Sequence, residues 1–227
     1  MPIPFPNLVT NREIPLVEVV PQQIYTLDGV LSPCTLKDLL AWSSSLSLDP
    51  PKPPAKGEAE RTSRRAALPS SEIASSLLSI LSPYLARLDP NLKQPYLLSP
   101  NIRIYHYPPS SFFKPHYDTP QLDLTSRRLS CWTVLIYLSD GVRGGGTTFH
   151  LDTHDLPIKK NKTKNKAKMK MGEEKEKEKE KVAVTVQPKA GRILFHWHGI
   201  QRGGCLLHQG DEVLGGDKWV LRTDVLS

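Results

Sequence analysis

Two kinds of periodicity divide this chain. In its first hundred residues, apolar positions recur at helical spacing. Ser32-Pro33 has the form of a helix start, with Ser as N-cap and Pro at the first helical position. Leu36, Leu39, Leu40 and Trp42 then give that helix an apolar face. A second helix is expected from about Ser71 to Ala86, with Ile73, Leu77, Leu78, Leu81 and Leu85 as its stripe, and Pro83 should bend it or end it early. Ahead of these, residues 1–20 suggest an extended arm and Tyr25-Thr26-Leu27-Asp28 a short strand. Asp49 to Ala55 (DPPKPPA) is a stiff, proline-rich connection.

From Asn101 the alternation typical of strands takes over. NIRIYHY, opened by Ile102 and Ile104, is one strand, and Pro108-Pro109-Ser110-Ser111 is a turn. Phe112 to Tyr117 forms a short extended piece, and Leu129 to Leu138 a long β-rich run. After turn signals at Asp140-Gly141 and Gly144-Gly145-Gly146 come Thr147-Thr148-Phe149-His150. Val182 to Gln187 and Arg192 to Trp197 are strands separated by the turn Pro188 to Gly191, and Lys218 to Thr223 is the last. Helices followed by many short strands predict a mostly β fold, a jelly-roll (double-stranded β-helix, cupin-like) core with the N-terminal helices packed outside it. Residues 1–98 would then be the arm and helices, and residues 99–227 the core domain.

Residues 156–181 interrupt the alternation. This stretch holds 11 Lys and 5 Glu and almost no core-forming residue, which predicts a solvated, disordered or partly helical insertion between two strands. It also explains the net charge of +7, because the rest of the chain carries 19 basic and 18 acidic residues. Basicity therefore belongs to one segment, which argues against nucleic acid as the partner of the folded core. No apolar run approaches the length of a membrane span. The first residues, MPIPFPNLVTNREIP, lack the basic-then-apolar order of a secretory signal. Three widely spaced cysteines, Cys34, Cys131 and Cys205, argue for a reducing compartment, cytoplasmic or nuclear.

The chemistry concentrates around His116-Tyr117-Asp118. A histidine and a carboxylate two apart on a strand point to the same face. A distant histidine brought alongside completes a two-His, one-carboxylate set, which holds iron(II) on one face and leaves the other open. His208 is one candidate for that histidine, and Lys218 follows it ten residues later. His196-x-His198 is a rival same-face pair, with His198 the main competitor although its place before Gly199 suits a loop, and His196 bordering the pocket or capping the strand end. Lys218 would supply a fixed positive charge near the metal. Residues 218, 220 and 222 share one side of the last strand, so Arg222 competes with Lys218, and an arginine would grip a carboxylate bidentately.

From Asn101 onward the chain resembles the iron(II)- and 2-oxoglutarate-dependent oxygenases of the prolyl 4-hydroxylase-like family. The residues that carry the resemblance are Tyr105-His106-Tyr107-Pro108, His116-Tyr117-Asp118, Ile136-Tyr137-Leu138, Gly145-Gly146-Thr147-Thr148-Phe149, Pro188-Lys189-Ala190-Gly191, and His208 with Lys218-Trp219. His116 and His208 are 92 positions apart, long for the family, and 66 apart once the 26-residue insertion is set aside. Pro109-Ser110-Ser111 departs from the family's Gly-containing turn before HxD, which loosens any inference about substrate.

The resemblance implies that His116, Asp118 and His208 bind iron(II) and that Lys218 takes the far carboxylate of 2-oxoglutarate. Tyr107 and Tyr137 would line its pocket, Thr133 shares the face of Tyr137 and could reach a carboxylate, and Arg222 would act behind the ligands or on substrate. The implied reaction consumes O2 and 2-oxoglutarate, releases succinate and CO2, and hydroxylates a C–H bond, with L-ascorbate keeping the iron reduced. The primary substrate would be a protein or peptide, a prolyl residue at family level, or a small molecule. A non-catalytic cupin-like metal-binding module and an oxidative demethylase acting on nucleic acid stay open as alternatives. The presence of Lys218 argues against the first, and the near-neutral core against the second.

Overall fold

The computed structural model describes residues 3–10, 14–151 and 182–227. Among these residues lie, in chain order, β1 (Val17–Val20), β2 (Ile24–Leu27), α1 (Pro33–Ser45), β3 (Arg64–Pro69), α2 (Ser71–Leu88), β4 (Leu97–Leu98), β5 (Asn101–Tyr107), β6 (Phe113–His116), β7 (Leu122–Asp123), β8 (Arg128–Tyr137), β9 (Arg143–Gly144), β10 (Thr147–Leu151), β11 (Val182–Val186), β12 (Ile193–Trp197), β13 (Leu207–Gly210), β14 (Val213–Gly215) and β15 (Lys218–Leu226). The major sheet runs β1-β2-β12-β8-β15-β5-β3, with β4 on β15 and β7 on β8. The minor sheet runs β11-β10-β13-β6. All the strand pairs are antiparallel.

Period-two alternation in the long strands of the major sheet sorts the interior into two layers. Ile102 and Ile104 of β5, Trp132, Val134 and Ile136 of β8, Ile193, Phe195 and Trp197 of β12, and Leu221 and Val225 of β15 face the helices. There they pack with Leu39 and Trp42 of α1 and Leu77, Leu81 and Leu85 of α2. The alternate residues Tyr105, Tyr107, Tyr137, Leu194 and Val220 face the minor sheet and meet Phe149, Leu151 and Val186. The second layer is the barrel interior. The architecture is thus mostly β, with two N-terminal helices covering the outside of the major sheet, as the sequence pattern predicts.

Local chemistry sets both helix starts. Ser32 accepts the Thr35 N–H at 3.1 Å with Pro33 behind it, and Ser70 accepts the Ile73 N–H at 3.2 Å. Pro83 does not end α2, which continues to Leu88. Leu81, Tyr84, Leu85 and Leu88 are all buried. Their packing offsets the roughly 3 kcal/mol that an interior proline costs a helix. The arm expected over residues 1–20 includes β1, and β3 forms an edge of the major sheet where the sequence pattern signals no strand. No described helix is long and apolar enough to cross a membrane.

The insertion expected at 156–181 lies outside the described residues. The strands on either side of it are an antiparallel pair in which Leu151 faces Val182. A short link can therefore join them without moving either strand, and closure cost depends only weakly on loop length. Replacing residues 159–181 by a Gly/Ser linker should change folding stability by no more than about 1 kcal/mol. Chemical denaturation of the two proteins checks this, and loss of cooperative unfolding in the shortened chain would refute it.

Candidate metal and co-substrate site

The antiparallel register of the minor sheet places His116 of β6 directly opposite His208 of β13, with ring centroids 4.3 Å apart. Asp118 follows two residues after His116, past the end of the strand. Donor atoms of His116, Asp118 and His208 all lie within 4.8 Å of one another. The His116 Nε2 is 3.9 Å from Asp118 Oδ1, and the His208 Nε2 is 3.9 Å from Oδ2.

Both imidazoles are oriented by their own strands. The Nδ1 of His116 donates to the Lys114 carbonyl at 2.8 Å, and the Nδ1 of His208 donates to the Leu206 carbonyl at 2.9 Å. A carbonyl can only accept, so each ring carries its hydrogen on Nδ1 and turns the Nε2 lone pair toward Asp118. Burial, aided by the neighbouring His208, pushes His116 down to about 4, and burial lowers His208 too. Both are neutral at pH 7, the form that binds metal.

Asp118 reaches across the barrel to the major sheet. Its Oδ2 accepts from the Thr133 hydroxyl at 2.9 Å and lies 3.0 Å from Arg222 Nη2, while Oδ1 accepts from Arg222 Nη1 at 3.3 Å. Burial favours the neutral acid, but the Arg222 guanidinium outweighs it and holds the carboxyl well below the usual carboxylate range. The guanidinium is shared with Asp224, at 3.2 Å from Nη2 and 3.3 Å from Nε.

Lys218 is held differently. It is 4 % exposed, and among the described residues its ammonium meets only the Gly145 carbonyl and the faces of Tyr107 and Tyr137, at 5.0 and 5.6 Å from the ring centroids. Among the described residues no carboxylate lies at ion-pair distance from it. Burial, opposed only by the more distant Asp211, pulls its pKa down to about 8. Gly145 makes this contact possible: its φ is +64°, and a Cβ there would meet Val213 at 3.0 Å and the Lys218 stem at 3.3 Å. Tyr137 hydrogen-bonds Thr147 at 2.7 Å. Burial raises Tyr107 to about 12 and raises Tyr137 too, so both stay neutral.

One cavity collects His116, Asp118, His208, Lys218, Tyr107, Tyr137 and Arg222. These seven residues, each singled out in the sequence, therefore face the same space. Lys218 and Arg222 are four strand residues apart, roughly 13 Å along β15. The cavity thus runs from the carboxylate-paired arginine to the unpaired lysine. The sequence rival His198 points elsewhere. Both its ring nitrogens are engaged, Nε2 with Ser130 at 2.8 Å and Nδ1 with Thr133 at 2.9 Å.

His196 is the histidine that sequence reasoning undervalued. It is buried in β12 and lines the cavity, with Nε2 3.5 Å from Asp118 Oδ2 and Nδ1 lacking a hydrogen-bond partner among the described residues. Its alternation with Phe195 and Trp197 was the available signal. A second donor set, His196, Cys205 and His208, is equally close-spaced. Its thiol is pushed up to about 12 by burial and touches His208 through Nδ1, the nitrogen already committed to Leu206. It therefore offers no ready thiolate.

The donor set suits a divalent metal: two neutral imidazoles, one ionised carboxylate, and an orphaned buried imidazole nitrogen beside them. The lone buried ammonium suits an anion. Comparison with known proteins agrees. A sequence profile described as the 2OG-Fe(II) oxygenase superfamily matches residues 102–223. The chain belongs to this superfamily. It is an oxygenase for which the family implies Fe(II), 2-oxoglutarate and O2. No curated protein matches the chain.

Among solved structures it is similar to the viral collagen prolyl hydroxylase of Paramecium Bursaria Chlorella virus-1 in its 2OG complex, with 17% identity over 90% of this chain and 96% of that one, TM-score 0.57. It is also similar to a prolyl hydroxylase from Trichoplax adhaerens in complex with a hypoxia inducible factor peptide fragment, with 14% identity over 91% and 84%, TM-score 0.56. A Pseudomonas putida prolyl-4-hydroxylase is 13% identical over 90% and 92%, TM-score 0.54. At these identities the likeness establishes the fold, the double-stranded β-helix.

A buried ammonium without a counter-ion opposes folding. Its lowered pKa makes the folded state weaker wherever the unfolded lysine keeps its proton, and that penalty fades as pH rises through about 8. Lys218→Met should stabilise the ligand-free protein at pH 7 by on the order of 3 kcal/mol. Its advantage over the wild type should shrink between pH 8 and 10. Urea unfolding across this range tests both, and a destabilised Lys218→Met at pH 7 would count against an unpaired charge.

Proposed function

We propose that this oxygenase hydroxylates a C–H bond of a peptide substrate, with a prolyl residue as the target class, using iron(II) held by His116, Asp118 and His208. The observation that carries the proposal is the pairing within one cavity of that donor set with the counter-ion-free Lys218. Bound iron(II) supplies O2 activation, coupled to oxidative decarboxylation of 2-oxoglutarate to succinate and CO2.

The protein's residues do the positioning. Lys218 receives the far carboxylate of 2-oxoglutarate, and its uncompensated charge makes that contact strong in a dry cavity. Arg222 is the poorer candidate, because its guanidinium is already shared between Asp118 and Asp224. Tyr107 and Tyr137 shield the ammonium from water and line the dicarboxylate's path. Arg222 keeps Asp118 ionised and fixed. His196 lines the cavity next to Asp118, with Nε2 3.5 Å from Oδ2. Ascorbate is the reductant assigned to keep the iron ferrous. The prolyl target is supported by the three similar structures named above, which are prolyl hydroxylases, one holding a peptide. Three free cysteines, Cys34, Cys131 and Cys205, fit a reducing compartment.

The deciding measurement is succinate formation from 2-oxoglutarate with iron(II), with and without proline-containing peptides, and with ascorbate omitted in parallel. His116→Ala, Asp118→Ala and His208→Ala should each abolish turnover in a folded protein, while His198→Ala should not reproduce the loss of a ligand. Lys218→Ala should weaken 2-oxoglutarate binding by on the order of 2–5 kcal/mol, as for loss of one partner of a buried charge pair. Arg222→Ala should act mainly on metal affinity. Full activity in His208→Ala, or a larger co-substrate effect from Arg222→Ala than from Lys218→Ala, would overturn these assignments.

A further inference from the structure

Asp118 is gripped from a second direction besides Arg222, through a file of side chains running away from the cavity. The Thr133 hydroxyl lies 2.9 Å from Asp118 Oδ2 and 2.9 Å from His198 Nδ1. His198 Nε2 lies 2.8 Å from the Ser130 hydroxyl, and Ser130 accepts the Gln121 backbone N–H at 2.9 Å. Thr133, Ser130 and His198 are all at most 2 % exposed.

The donor and acceptor inventory leaves one polarity for this file. Both oxygens of Asp118 face the Arg222 guanidinium as acceptors, and Thr133 is the donor to Oδ2, so it spends its single hydroxyl hydrogen there. The Thr133 oxygen then accepts from Arg222 Nη2 at 3.2 Å and from His198, which places the imidazole hydrogen on Nδ1. The Nε2 of His198 is left as an acceptor and takes the Ser130 hydroxyl hydrogen. Ser130 in turn takes the Gln121 N–H. Burial lowers the pKa of His198, which keeps the ring neutral and the single-hydrogen assignment intact. Every bond in the chain points inward, and it terminates on the carboxylate.

We infer that Thr133 and His198 are positioning residues for Asp118: the directed chain Gln121–Ser130–His198–Thr133 fixes its Oδ2 and thereby presents the carboxylate to the metal. This rests on the proposed role of Asp118 as a metal ligand. Oδ2 has two close donors, Thr133 at 2.9 Å and Arg222 at 3.0 Å, against one at 3.3 Å for Oδ1. The carboxylate is therefore pinned at one oxygen, and Oδ1 is the freer of the two. The file from His198 ends, through a hydroxyl, on the only carboxylate of the candidate donor set. Partners of this kind behind a ligand typically change metal affinity 10–100-fold when lost.

The test uses the full-length metal-free protein titrated with Co(II), read by its visible absorption, with thermal unfolding of the metal-free form measured alongside. Thr133→Val should weaken Co(II) binding by about 10–100-fold and alter the bound spectrum, while Thr133→Ser should restore affinity to within about 3-fold. His198→Phe should fall on the side of Thr133→Val. Histidine 15N spectra of the wild type should show His198 protonated on Nδ1, a readout that needs no variant to fold.

Asp118→Asn separates the two layers of the inference. If it binds Co(II) as tightly as wild type, the metal assignment itself fails. If it loses binding while Thr133→Val keeps wild-type affinity and only lowers the unfolding temperature, the relay is refuted and the metal assignment stands. A His198 protonated on Nε2 would refute the polarity on which the relay depends.

Discussion

The contact between Asp118 and Arg222 is the one on which the rest of the site depends. Asp118 comes from just past the end of β6 in the minor sheet and Arg222 from β15 in the centre of the major sheet, so the pair spans the barrel. Neither group is tolerable alone in a buried site, because a lone desolvated charge costs several kcal/mol. Together with Thr133 they set where the carboxylate sits relative to His116 and His208. Those two rings are themselves locked by carbonyls two residues earlier in their own strands. The donor set is therefore assembled by two independent devices: strand register for the imidazoles and a cross-barrel ion pair for the carboxylate.

Charge balance extends this constraint to the ligands. Asp118 and Asp224 oppose Arg222, and Asp211 acts on Lys218 from further off, with the histidines neutral. A divalent cation and a dianionic dicarboxylate added together leave the sum of these charges unchanged, whereas either one alone shifts it by two in a low-dielectric cavity. In the proposed function, metal and co-substrate therefore favour each other's binding. This follows from where the charges stand: Lys218 lies remote from Asp118 and Asp224 along β15 and has no carboxylate at ion-pair distance among the described residues, so its charge is open to an arriving anion.

The sequence made legible whatever is local. Period-two alternation identifies β5, β8, β12 and β15, and the same alternation puts His196 and Thr133 on the barrel face. Capping serines mark both helices. The sequence was weaker where pairing, not composition, makes the element. β13 carries His208 in the four residues LHQG, with no apolar alternation, and is a strand because β10 and β6 flank it. β3 is charged at one end and has a proline at the other, features of an edge strand that local propensity reads as loop. The candidate ligands could be spotted because HxD is a local pattern. The Arg222–Asp118 contact, 104 positions apart, and the His198–Thr133 contact, 65 apart, exist only after β15, β8 and β12 are aligned.

The fate of the rival histidines shows why residue type at a strand position underdetermines role. His196, His198 and His208 lie within thirteen residues and all are buried. What separates them is the partner each Nδ1 finds. That of His208 meets a backbone carbonyl, which frees Nε2 toward the cavity. That of His198 meets a hydroxyl, and a second hydroxyl closes its Nε2, so the ring can transmit orientation but cannot ligate. That of His196 meets nothing among the described residues, leaving a buried nitrogen unsatisfied at a cost that folding alone gives no reason to retain. Lys218 adds a buried ammonium that meets one carbonyl and two aromatic faces, with no carboxylate at ion-pair distance among the described residues. An under-paired imidazole and an under-paired ammonium lining one cavity mark the place where this fold has been shaped around something it binds.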